Sequence, residues 1–167
     1  MRAKCGEQLE TRPLAFTPMY DELLQNIRAQ ATSYGEVLQP PCSAGSIELL
    51  RTRVQKELGV ELPEEYVQFL KKVNGLDWNG LVVYASERSQ IVGYRDRFIE
   101  GVVEGNLSYR ALDSMNDFLV FGEDGVALYV LELCDRSYQI ITTAGLTVLE
   151  TFPAFEDLLT NAMEAHL

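Results

Sequence analysis

The stretch LPEEYVQFLKKVNGLDWNG, Leu62 to Gly80, decides how the rest of the chain is read. Pro63 suits the first helical position, where a missing N–H leaves no bond unmade. Glu64 and Glu65 face the positive end of the helix dipole, and Lys71 and Lys72 the negative end. Tyr66, Phe69, Leu70 and Val73 recur at i, i+3, i+4 and i+7, which places them on one buried face. Asn74-Gly75 supplies a left-handed cap. Each device is worth only ~0.3–1.5 kcal/mol, but all of them agree on one helix. Beyond it lie the single tryptophan, Trp78, and a second Asn-Gly pair. Such a tryptophan either packs against the helix or reaches a partner, and both readings stay open.

Upstream, Thr17-Pro18 with Asp21 and Glu22 marks another helix start, and Leu23, Leu24, Ile27 and Ala31 line its face as far as Gly35. Ser46 is expected to cap a second helix, whose stripe Ile47, Leu50, Val54 and Leu58 ends at Gly59. Downstream, Leu81–Ala85 reads as a strand. Residues 94–104 read as a helix, with Phe98, Ile99, Val102 and Val103 inside and Asp96, Glu100 and Glu104 as an outer acidic row. Like charges at that spacing oppose a helix slightly. Phe118–Phe121, Val126–Leu133, Tyr138–Thr142 and Leu146–Leu149 read as strands, with Asp124-Gly125 as a hairpin turn. A last helix near Pro153 buries Phe155, Leu158, Leu159, Ala162 and Met163. Short turns between strands imply antiparallel pairing. The expected class is α+β, an antiparallel sheet with helices packed on it. Residues 1–13 read as a loosely ordered leader and 14–167 as one domain.

The chain carries a net charge of −11, unevenly placed. Residues 1–95 hold 12 acidic and 11 basic side chains; residues 96–167 hold 13 acidic and three basic ones, a net of −10. That field repels nucleic acid and anionic membranes and attracts a basic partner. No apolar run approaches the ~18–20 residues that span a bilayer, and the first residues show no apolar signal segment. Cys5, Cys42 and Cys134 are far apart and odd in number, as in a reducing cytoplasm.

Chemistry is hard to place on this sequence. The single histidine, His166, sits where a chain end would fray, which argues against Ser/His or Cys/His catalysis and against a histidine-rich zinc site. Asp135 would raise the thiol pKa of Cys134, which reads as a half-buried structural cysteine. Gly122-Glu123-Asp124-Gly125 lacks the alternating ligands of a calcium loop. No phosphate-binding glycine motif is present, and Asn106-Leu107-Ser108 matches a glycosylation sequon only by chance. No catalytic residue, metal ligand or cofactor is expected. Among 25 acids some pair could serve a hydrolase, but none is singled out. Binding is the remaining role, with Asp77, Trp78, Glu87, Asp96, Glu100 and Glu104 as the candidate partner surface.

Leu62-Pro63, Tyr66, Phe69-Leu70 and Asn74-Gly75 together resemble the signature of the SUKH superfamily, which includes the fungal Smi/Knr cell-wall regulators and many bacterial immunity proteins. Phe118–Gly122 and the terminal Phe152, Phe155, Leu158 and Leu159 are similar too, and Tyr34-Gly35-Glu36 with Asn74–Leu81 look most like the bacterial YrhA-type branch. The resemblance runs over residues 18–166. It implies an α+β fold, no enzymatic activity, and a cytoplasmic immunity protein that binds a cognate toxin, often a nuclease or deaminase. A regulatory interaction module of the Smi/Knr type is the alternative it leaves. It carries over no contact residue.

Overall fold

The structure, a computed structural model, describes residues 18–167. The expected leader and Thr17 lie outside the described residues. Three helices come first: α1 (Met19–Ser33), α2 (Ala44–Arg53) and α3 (Glu64–Leu70). Strands β1 (Leu76–Trp78) and β2 (Leu81–Val83) follow, then the short pair β3 (Ser89–Gln90) and β4 (Phe98–Ile99) and helix α4 (Val102–Tyr109). Strands β5 (Phe118–Glu123), β6 (Ala127–Glu132), β7 (Tyr138–Thr142) and β8 (Val148–Phe152) lead into helix α5 (Phe155–Glu164). Six strands make one antiparallel sheet in the order β1-β2-β5-β6-β7-β8, and among the described residues β3 pairs only with β4. The architecture is the expected α+β.

The apolar face that the spacing marks is buried, but α3 ends at Leu70 with Lys71 as its cap, so Lys71 and Lys72 lie past its last turn and Asn74-Gly75 past its cap. Tyr66, Phe69, Leu70 and Val73 are fully buried. Tyr66 stands 5.1 Å from Phe121 and 5.6 Å from Phe155, and Phe121 stands 5.0 Å from Phe155, all tilted or edge-on. These contacts join α3, β5 and α5 into one core. The Tyr66 hydroxyl donates to the Tyr84 carbonyl at 2.7 Å, and the Phe155 N–H donates to Glu65 Oε2 at 2.8 Å, so α3 also satisfies a free donor at the start of α5. Past the end of α3, Asn74 accepts from the Ser86 N–H at 2.8 Å, which ties it to the segment that follows β2. Gly75 has φ +86°, and a Cβ there would lie 2.9 Å from that of Ala85. Both its backbone angle and this close approach call for glycine.

Several expectations need correction. The cap of α2 is Ser43, whose side chain accepts from the Ser46 N–H at 3.1 Å. Pro18 and Pro63 each occupy the cap position rather than the first helical one. Residues 94–104 are not one helix. Gly93 (φ +86°) turns the chain, Phe98-Ile99 pairs as a strand, and Gly101 in extended backbone starts α4. Phe98 is exposed and Ile99 buried, the alternation of a strand. The acidic row therefore does not exist as a helix face.

Strands β1 and β3 have no counterpart among the expected elements. Asn79 (φ +47°) and Gly80 (φ +90°) both take left-handed backbone, forming the tight turn that folds β1 onto β2. Cys134 is exposed rather than half-buried. Asn106 is 1 % exposed, so its sequon is architectural. Its amide accepts from the Val120 N–H and donates to the Val120 carbonyl, both at 2.8 Å, where the β5–β6 register shifts. These two bonds satisfy the backbone N–H and carbonyl of Val120 beside the register shift. His166 is held rather than frayed. Asn79 donates to its carbonyl at 2.9 Å, and its ring nitrogens lie 2.8 Å from the Ala162 carbonyl and 3.5 Å from Asp124 Oδ2.

Candidate functional site

Beside Trp78 the surface opens into a cleft of about 320 Å³. Three separate pieces of chain build its walls. The first is the end of α1, where Gly35 (φ +75°) reverses the chain and the Glu36 N–H returns to the Ala31 carbonyl. This turn presents Tyr34, Glu36 and Val37 to the cleft. The second is β1, carrying Asp77 and Trp78. The third is the β3–β4 loop, with Tyr94 and Arg97. Gln39, only 6 % exposed, ties the first piece to the third. Its side chain donates to the Gln90 carbonyl and accepts from the Val92 N–H, both at 3.0 Å.

A continuous polar chain crosses this cleft. Arg97 reaches Asp77 Oδ2 at 2.9 Å, and its guanidinium lies 4.7 Å over the Tyr94 ring. The Tyr94 hydroxyl donates to Glu36. That hydrogen bond is the main cause that raises the Tyr94 pKa, so the hydroxyl stays a donor. Trp78 is 6 % exposed and its indole N–H has no partner among the described residues. Trp78 is thus both core and cleft lining. Tyr34 and Val37 are largely exposed, so the rim presents apolar surface.

The six residues expected to meet a partner do not form one surface. Asp77 and Trp78 come together in the cleft, and Asp96 is exposed beside Arg97 on the same loop. Glu87 lines a smaller hollow with Leu49 and Arg53. Glu104 is paired with Arg53 at 2.8 Å, and Glu100 folds back on the Gly101 N–H. Tyr34, Glu36, Tyr94 and Arg97 complete the cleft without having been singled out as a group. The signal within reach was Gly35 after α1, which predicts a chain reversal that exposes Tyr34.

Two other polar constellations share no lining residue with the cleft. Tyr84 and Tyr109 both donate to Glu123 Oε2. Burial first, then that bond, pushes the Tyr109 hydroxyl up to about 12. Asp124 accepts from the N–H groups of Val126 and Ala127 and from the Tyr129 hydroxyl, next to His166. Burial raises its pKa, but those donors and His166 outweigh burial and hold it below the usual range. Among the described residues no Ser, Thr or Cys side chain hydrogen-bonds His166, and no helix is long and apolar enough to cross a membrane.

Residues 42–161 match the model of the SMI1 / KNR4 family (SUKH-1). Among curated proteins none matches the chain. The matched residues include Asp77, Trp78, Tyr94 and Arg97; Tyr34 and Glu36 precede them.

Proposed function

The chain belongs to the SMI1/KNR4 family (SUKH-1), and from that premise we propose that it is an immunity protein of the YrhA type. It acts in the cytoplasm without chemistry of its own, by covering a cognate toxin domain that is a basic nuclease or deaminase. The observation that carries this reading is the make-up of the cleft. Tryptophan, tyrosine and arginine dominate the energetic centres of protein interfaces, and here they line one concave site with exposed apolar neighbours. The net charge of −11 supports a basic partner and fast, steered association.

The test is co-purification with the product of the adjacent gene. The expected result is co-elution at low salt, weakening as salt rises, and rescue of cells that express the toxin. A neighbour that neither binds nor is inhibited would sink the reading. It would leave the regulatory Smi/Knr role as the one to pursue.

A further inference from the structure

We infer that the cleft is a socket for one arginine side chain of the partner, an inference that rests on the immunity reading. Arg97 already shows the binding mode within the chain. Its guanidinium pairs with Asp77 and lies over the Tyr94 ring, the combination of carboxylate and aromatic face that suits a planar cation. Yet Arg97 does not fill the site. Its side chain is 50 % exposed, and a space of about 320 Å³ remains beside it.

The lining decides what can enter. Asp77 and Glu36 each contribute a carboxylate with room for further donors, since an ionised carboxylate accepts about four hydrogen bonds. Asp77 receives Arg97 through Oδ2. Against these two negative charges stands one guanidinium, so the cleft keeps a net charge of −1 within a strongly acidic chain. A carboxylate ligand would be repelled. Tyr34 adds open aromatic surface on which a second guanidinium can stack, with the nearly buried Trp78 beneath, whereas an ammonium would use neither the flat face nor paired oxygens as well. The rim residues Tyr34 and Val37 then meet the apolar surroundings of that arginine.

Trp78 is the single tryptophan and lines the cleft, so its buried indole N–H gives a single reporter signal beside the site. The test titrates the isotope-labelled full chain with three blocked tripeptides, Gly-Arg-Gly, Gly-citrulline-Gly and Gly-Glu-Gly, while that signal is followed by NMR. The arginine peptide should shift it saturably. Citrulline, the neutral isostere, should bind about tenfold more weakly, and Asp77→Asn or Glu36→Gln should each weaken the arginine peptide by about tenfold. An unmoved signal, equal binding of citrulline, or preference for the glutamate peptide would overturn the socket. The toxin separates the two ideas. If the chain binds the toxin and both substitutions change its affinity less than twofold, the socket fails and the immunity reading stands. If the arginine peptide binds and the toxin does not, the immunity reading fails and the socket stands.

Discussion

Two groups of aromatic rings in this molecule have opposite surroundings. Tyr66, Phe69, Phe121 and Phe155 are each at most 1 % exposed and pack ring against ring. Tyr34 and Tyr94 are 75 % and 36 % exposed, and Tyr94 meets an arginine and a carboxylate rather than another ring. The first group joins three elements and holds the fold. The second group leaves surface available: Tyr34 is open to solvent, and Tyr94 links Glu36 to Arg97 at the cleft instead of packing in the core. The contrast separates residues kept for packing from residues suited to recognition.

Phe69→Ala tests the first half of that contrast and has the largest expected effect. Removing a buried phenyl from the centre should lower stability by about 3–5 kcal/mol, measured by denaturant unfolding. A loss under about 1 kcal/mol would mean that the core is not centred there. Next comes Asn106→Leu, which leaves the N–H and carbonyl of Val120 without partners. About 2–3 kcal/mol should be lost, with faster amide exchange at Val120 as the local sign.

A smaller effect is expected at Asp124. Its folded pKa lies below the unfolded one, so its contribution is present above the unfolded value and is lost as pH falls through the folded value. Asp124→Asn should therefore cost about 1–2 kcal/mol at pH 7 and progressively less as pH falls below the usual carboxylate range. Parallel stability curves for the two proteins over that fall in pH would contradict this.

The core was legible because its residues repeat within single elements. Tyr66, Phe69 and Leu70 mark one helix face, and Phe155, Leu158, Leu159, Ala162 and Met163 mark another. The cleft was only half legible. Asp77 and Trp78 were singled out, but their neighbours come from the end of α1 and from the β3–β4 loop, and no periodicity links those pieces. Gln39 joins them through two hydrogen bonds that only the folded chain reveals. The helix expected over 94–104 failed because its apolar residues fit a helix and a short strand equally well. Gly93 and Gly101 decided for the strand and turn. Asn79-Gly80 did signal a hairpin, and β1 was missed because only three residues precede the turn.

The smallest expected change in stability accompanies the most direct test of the recognition claim. Tyr34→Ala removes an exposed ring from the cleft wall, so stability should change by less than about 0.5 kcal/mol. The measurement is the affinity of this variant for the adjacent gene's product, the proposed toxin partner, set against that of the unaltered chain. A loss of tenfold or more with unchanged unfolding is the expected result, as for an interface centre. Unchanged affinity would contradict the cleft as the partner-binding surface.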